Sequence, residues 1–293
     1  MTPNVSQLLA FYTHLTPRDR AILTLLDEHR VLTADQIMRL HFTSYRTAQR
    51  RLLQLSQLRL LDRFRYARPT GGADPWLWVL GLYGARYMAG TLGRPMPTES
   101  SHRDQLLRLS AYANLAHQKE TNEFGVRLAR TAHHDPSVAL VRWWSERTAT
   151  ARFLRIRPDA HGLWTADGRT VGWFLECDMG TESLPKLIAK LDAYQDLTNT
   201  IGVEYPVLFW LPSHVRESNL QNLLRARPPA IPVATATHDA DPAGPVWLPT
   251  GRWERLPLSG LPSSHGHNTP GNPNWPAGES DLTHQGAAGH HRT

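Results

Sequence analysis

The sequence predicts an α/β (α+β) protein of two domains. An N-terminal winged helix-turn-helix covers residues 1–92, a small mixed-sheet domain covers 103–258, and a disordered tail covers 259–293. Three observations carry this. Three short amphipathic segments precede two β-like runs around a Gly/Pro tip. Further along, apolar strand-like runs alternate with helical periodicity. From Ser259 the composition turns to Gly, Pro, Ser, Asn and His. The 293 residues suffice for two domains, and 41% apolar with 20% charged residues can bury a core.

Thr16-Pro17 opens the first helix, threonine as N-cap and proline at the first helical position. Ala21, Ile22, Leu25 and Leu26 form its apolar stripe. Thr33 and Gln36 form a capping box for a second helix carrying Ile37 and Leu40. A third helix runs from about Ser44 to Gln57, with Tyr45, Ala48, Leu52 and Leu55 inward and Arg46, Gln49, Arg50 and Arg51 opposite. Strands Leu60–Tyr66 and Trp76–Leu80 flank the tip Arg68–Pro75. Gly90–Ser101 is the linker candidate, and a long helix follows from about Arg103 to Ala132. The second domain reads as a segment at Val138–Trp144, a strand Phe153–Asp159, a turn at Asp167-Gly168 and a strand Val171–Asp178. A helix Ser183–Thr198, a strand Pro206–Leu211, a helix Arg216–Arg225 and a strand Ile231–Thr235 complete it.

Charge narrows the function. The net charge is +6, and residues 1–95 hold thirteen arginines against six acids. The basic excess therefore lies in the N-terminal third and favours a polyanionic partner. No apolar run reaches the length of a membrane span, and the N-terminus lacks the pattern of a secretory signal. The lone Cys177 excludes an internal disulfide framework and a thiolate-cage zinc site. A soluble protein of the reducing cytoplasm is expected. In a winged helix the third helix enters the major groove. Ser44, Arg46, Gln49, Arg50 and Arg51 are thus candidates for contacting duplex DNA, with Arg63, Arg65 and Arg68 at the wing.

The second domain offers carboxylates. On one strand Glu176 and Asp178 share a face while Cys177 points away. If Asp167-Gly168 is a two-residue turn, Ala166 pairs with Arg169 and Asp159 falls opposite Glu176, unless a bulge shifts the register. Three clustered carboxylates repel unless a cation lies between them, and Mg2+ or Mn2+ is the natural occupant. Lys186, Lys190 and Tyr194 follow at steps of four, so two of the chain's three lysines stand just beyond the acids.

Pro158-Asp159, the strand with Glu176-x-Asp178 and a nearby lysine resemble the PD-(D/E)xK nuclease superfamily. The wider set is His117, Trp144, Glu146, Pro158-Asp159-Ala160, Glu176-x-Asp178-x-Gly180-Thr181-Glu182 and Lys190-Leu-x-x-Tyr194. Following a winged helix, it closely resembles the replication-relaxation family of actinobacterial plasmids and integrative elements, over about residues 15–255. The resemblance implies a restriction-endonuclease-like domain with metal-dependent phosphodiesterase chemistry. Asp159 and Glu176, with Asp178, would ligate Mg2+ or Mn2+. Lys190 or Lys186 would orient the attacking water or stabilise developing charge, and Glu120 or Glu123 could add an acid. The superfamily usually carries its lysine two residues after the acid, where this chain has Asp178.

A DNA-binding protein of a plasmid or mobile element is therefore expected, with a nuclease-like domain and with plasmid replication or transfer proteins as further partners. The alternative is a non-catalytic regulator or accessory factor using the same winged helix. A tyrosyl-linking relaxase fits worst, because no pair of histidines flanks a hydrophobic residue on a predicted strand: His133-His134 are adjacent, and His265-Gly-His267 lies in the tail.

Overall fold

The computed structural model describes residues 15–66, 74–111 and 114–275. The chain divides into two compact units, Met1–Asn122 and Glu123–Thr293. Among the described residues no helix is long and apolar enough to cross a membrane.

In the first unit, α1 (Pro17–His29) is capped by Thr16 in a full capping box with Asp19, and α2 (Ala34–His41) by Thr33 with Gln36. Ser44 caps α3 (Tyr45–Gln57). Strands β2 (Leu61–Phe64) and β3 (Leu77–Leu80) pair antiparallel, Arg63 opposite Trp78. The sequence reading did not include β1 (Leu32–Thr33), which adds to the other edge of β3. Two residues are too few to show a period. Of the expected tip, Arg68 to Ala73 lie outside the described residues.

Helix α4 (Leu82–Thr91) was also missed, because Gly81, Gly84 and Gly90 dilute its helical signal. Gly84 has a packing role: a Cβ there would stand 2.0 Å from the Leu60 carbonyl oxygen. Backbone cannot yield as a side chain can. Gly84→Ala should therefore destabilise this unit by about 3 kcal/mol, read as a lower urea midpoint.

The expected long helix is two, α5 (Glu99–Ser110) and α6 (Leu115–His134). Leu109 and Leu115 are buried with Val31, Leu77 and Val79, so this stretch packs with the first unit. The division accordingly falls within α6, not in the Gly90–Ser101 stretch.

The second unit is built on a six-stranded sheet, in the order β10-β9-β8-β6-β5-β4. Its strands are β4 (Ala139–Ser145), β5 (Ala160–Ala166), β6 (Arg169–Cys177), β8 (Val207–Leu211), β9 (Val233–Thr237) and β10 (Leu248–Pro249). β4, β5 and β6 are antiparallel neighbours, and β6, β8 and β9 run parallel. Where a strand was expected at Phe153–Asp159, helix α7 (Glu146–Phe153) ends at Leu154 in a left-handed turn (φ 62°), and the strand begins only at Ala160.

Both sheet faces are covered, which explains the uninterrupted apolar run of β8. Phe174, Val207, Phe209 and Leu211 face one core with Leu187, Leu191 and Tyr194. These last come from α8 (Leu184–Ala189) and α9 (Leu191–Ile201), into which the expected single helix is broken at Lys190. Trp173, Leu175, Cys177, Leu208 and Trp210 face the other core with Phe124 and Leu128 of α6. There Phe124 meets Trp173 and Trp210 edge-on at 5.2 and 5.4 Å. Helix α10 (His214–Ala226) leads from β8 towards β9.

Residues 259–275, expected as disordered tail, are ordered. Leu258 and Leu261 are buried. Ser263 Oγ accepts from the Gly172 amide at 3.0 Å. Ser264–His265 (β11) pairs with Val203–Glu204 (β7). Asn274 is buried and accepts from the buried Arg142 Nη1 at 2.7 Å. Buried asparagines and leucines among the glycines and prolines, invisible to composition, tie this segment down. Its histidines are structural: the His265 ring meets the Tyr205 hydroxyl at 2.6 Å, and His267 packs where a Cβ on Gly202 would collide.

Candidate functional site

The first unit presents a basic face on α3. Arg46, Gln49 and Arg50 are exposed, and neither arginine makes an ion pair among the described residues. Ser44 stands at the helix start, its hydroxyl accepting from the Thr47 amide. Tyr45, expected inward, is instead 50% exposed beside them.

Arg51 leaves this face. Its guanidinium donates Nε to Asp19 Oδ1 at 2.8 Å, and Asp19 is fully buried. Burial opposes the Asp19 charge, yet the bonds from Arg51 and Thr16 hold its carboxyl below the usual range. Arg51 is thus a tie between α1 and α3. Its helical spacing fits the basic face, and the buried acid that captures it lies thirty-two residues away.

At the hairpin, Arg63 and Arg65 lie over the ring of Trp76, with guanidinium carbons 4.1 and 4.4 Å from its centroid. Trp76 was not singled out in the sequence. Two arginines at alternate positions, Arg63 on β2 and Arg65 just beyond its end, across a hairpin from an aromatic, carried that signal. Arg68 lies outside the described residues.

In the second unit the hairpin turns at Asp167-Gly168, both with positive φ (54° and 71°), as a two-residue turn of this hand requires. Ala166 pairs with Arg169 and Ala160 with Leu175, with no bulge between β5 and β6. Asp159 is held just beyond this ladder. Its amide donates to the Leu175 carbonyl at 2.9 Å and its Oδ2 accepts from the Cys177 amide at 2.7 Å.

Glu176 points into the core beneath α8 and α9 and is 1% exposed. Its Oε2 accepts from Lys190 Nζ at 2.8 Å and its Oε1 from the Tyr194 hydroxyl at 2.5 Å. Burial first, and the charge of Asp159 second, push the Glu176 carboxyl up to about 7, although Lys190 and Tyr194 pull the other way. Burial works against the Lys190 charge as well, but Glu176, Asp159 and Glu182 outweigh it and hold the ammonium well above its ordinary value. The Tyr194 hydroxyl is raised too, by burial and then by the Glu176 charge.

Asp159, Glu176, Lys190 and Tyr194 therefore come together, and two expected members are bonded to other partners. Asp178 is gripped by Arg216, whose Nε and Nη2 reach both its oxygens, and its Oδ1 also accepts from the Gly180 amide at 3.0 Å. β6 ends at Cys177, one residue before Asp178. Lys186 pairs with Glu182 at 2.8 Å on an exposed surface. Glu182 also lies 3.6 Å from Lys190, a contact that its place near a helix start did not disclose. Glu123 bonds Arg127 at 3.0 Å, and Glu120 belongs to the first unit.

Among the described residues no group of three or more His, Cys, Asp or Glu side chains is arranged to hold a metal ion. Two carboxylates are the donor chemistry that a hard cation takes when water and phosphate complete its shell. A carboxylate also has about four lone-pair positions, more than the partners of Glu176 use.

Comparison with known proteins gives one match. No curated protein and no solved structure matches the chain. The model of the family described as replication-relaxation matches residues 23–207. That span is most of the sequence and holds α3, β2, β3 and every member of the Asp159–Glu176–Lys190–Tyr194 cluster. The chain belongs to the replication-relaxation family.

Proposed function

We propose that this replication protein binds duplex DNA through a winged-helix first unit and acts on the phosphodiester backbone with a PD-(D/E)xK-like second unit, in the replication or transfer of a plasmid or mobile element. The basic face supports the first half. Arg46, Gln49 and Arg50 project from the helix that enters the major groove in winged helices, and Arg63 and Arg65 flank it at the hairpin.

The observation that carries the second half is the buried Glu176, bonded by Lys190 and Tyr194 and electrically coupled to Asp159. Acids, a lysine and a perturbed carboxyl gathered at one place mark a chemical site. Asp159 and Glu176 would hold Mg2+ or Mn2+, which supplies Lewis-acid polarisation of a phosphate and a more acidic water. Lys190 brings a compact positive charge to where a phosphate would gain negative charge. Tyr194 fixes the Glu176 side chain. Arg216 anchors Asp178 and, through the Glu182 carbonyl, the loop that follows β6.

The same bonds support a second reading, a non-catalytic regulator. Each oxygen of Glu176 and of Asp178 has a protein donor, so Lys190 and Arg216 can serve as built-in counterions of an inherited scaffold. Supercoiled plasmid incubated with Mg2+ or Mn2+ separates the two. Under the nuclease reading the wild type nicks or linearises it, and Asp159→Ala and Glu176→Gln lower the rate at least about 100-fold with DNA binding retained. Equal binding by all three proteins, with no cleavage in either metal, would leave the regulator.

A further inference from the structure

Trp253 is 84% exposed, the most exposed of the large apolar side chains among the described residues. It stands in the ordered loop after β10, where Gly251 takes a left-handed conformation (φ 77°). One face of the ring is covered by the guanidinium of Arg225, whose carbon lies 4.4 Å from the centroid. That guanidinium is itself steadied by a bond from Nη1 to Asn222 Oδ1 at 3.2 Å. Arg227 follows at the end of α10 and Arg252 precedes the tryptophan; both are exposed and form no ion pair among the described residues. Glu254 is the only acid of the stretch 250–255, and Arg255 is turned inward to Glu217 at 2.7 Å.

We propose that Trp253, backed by Arg225, is a stacking platform for an unpaired base of single-stranded DNA, with Arg227 and Arg252 meeting its phosphates. An indole cannot remain so bare without losing the apolar burial that other tryptophans of this unit obtain. A cation parked on one face holds the ring rigid and leaves the other face for a flat partner. Bases supply such a face whatever the sequence, and they arrive with a phosphate chain that the local arginines complement. The excess of cations favours this polyanion over an apolar protein surface. The site shares no residue with the basic face of the first unit or with the Glu176 cluster, so it stands whether or not the chain cleaves DNA.

A fluorescein-labelled oligo(dT) of twenty nucleotides is titrated at fixed salt with the full chain, with Trp253→Ala, Trp253→Phe and Arg225→Ala, and a duplex of equal length is titrated in parallel. Trp253→Ala should weaken single-strand binding about 5- to 100-fold and Arg225→Ala less, while Trp253→Phe stays within a few-fold and duplex affinity within about twofold. Unchanged thermal unfolding of Trp253→Ala separates the loss of binding from loss of fold. Failure of the wild type to bind oligo(dT), or equal single-strand binding by Trp253→Ala, would overturn the proposal. Loss of a sedimenting dimer in Trp253→Ala with oligo(dT) binding intact would overturn it too, assigning the ring to a second copy of the chain.

Discussion

Lys190→Met is expected to lower the stability of the second unit by about 2 kcal/mol at pH 8 and to carry its pH-dependent loss of stability above neutrality. Removing one partner of a fully buried ion pair costs about 3–5 kcal/mol, and the half-exposed position of Lys190 screens part of that. The pH course follows from Glu176. Its carboxyl titrates near 4.5 in the unfolded chain and at about 7 in the fold, raised mainly by burial. The unfolded chain therefore gives up this proton first as pH rises. The stability this group contributes is fully present below about 4.5 and has been lost once the pH has passed through about 7.

Without the ammonium the folded value climbs further, so in Lys190→Met the decline continues to higher pH. In Glu176→Gln this component of the slope disappears. Urea unfolding at a series of pH values, followed by tryptophan fluorescence, distinguishes the three proteins. Parallel curves for the wild type and Lys190→Met would show that the ammonium does not act on Glu176.

Asp19→Ala is expected to destabilise the first unit by about 2–4 kcal/mol. The carboxylate does two jobs: it completes the capping box of α1 with Thr16 and takes the Arg51 guanidinium. A cap is worth about 1 kcal/mol, and a hydrogen bond to a charged group about 1.5–3. Arg51→Met should lose most of the second contribution while duplex affinity falls less than twofold, because this arginine is turned away from the basic face. Arg46→Ala and Arg50→Ala should behave oppositely, with unchanged unfolding midpoints, about tenfold weaker duplex binding for each and a shallower salt dependence. If Arg51→Met lost DNA affinity as Arg50→Ala does, the structural assignment of Arg51 would fail.

These two cases mark what could be read in the sequence. Local signals were legible: Thr16-Pro17, the Thr33–Gln36 box, the Asp167-Gly168 turn and the hairpin register that runs from Ala166 opposite Arg169 to Ala160 opposite Leu175 each depend on neighbours in the chain. The step from Lys190 to Tyr194 survived because a side chain one turn further on stays on the same side even where the helix breaks. Lost were choices between distant partners. Asp178 and Arg51 each have a residue type and spacing suited to the expected site, and each is claimed by an opposite charge more than thirty residues away, Arg216 and Asp19. Composition misled at residues 259–275 because a few buried side chains, not the average, decide whether a Gly/Pro-rich segment packs. It was silent at Trp253, since exposure is not encoded by residue type.

The segment 259–275 also bears on the order in which the molecule is made. Arg169, Gly172 and Arg142 must wait for partners 90, 91 and 132 residues later in the chain. Contacts of such long range form late, after the closure entropy of a large loop has been met. During synthesis the first unit can fold early, whereas the second unit stays incomplete until residues 259–275 emerge. The basic face of α3 would then exist on the nascent chain before the cluster around Glu176 is assembled. Pulse-labelling with limited proteolysis of ribosome-bound chains halted before and after residue 275 would reveal that delay as a late gain of protection confined to the second unit.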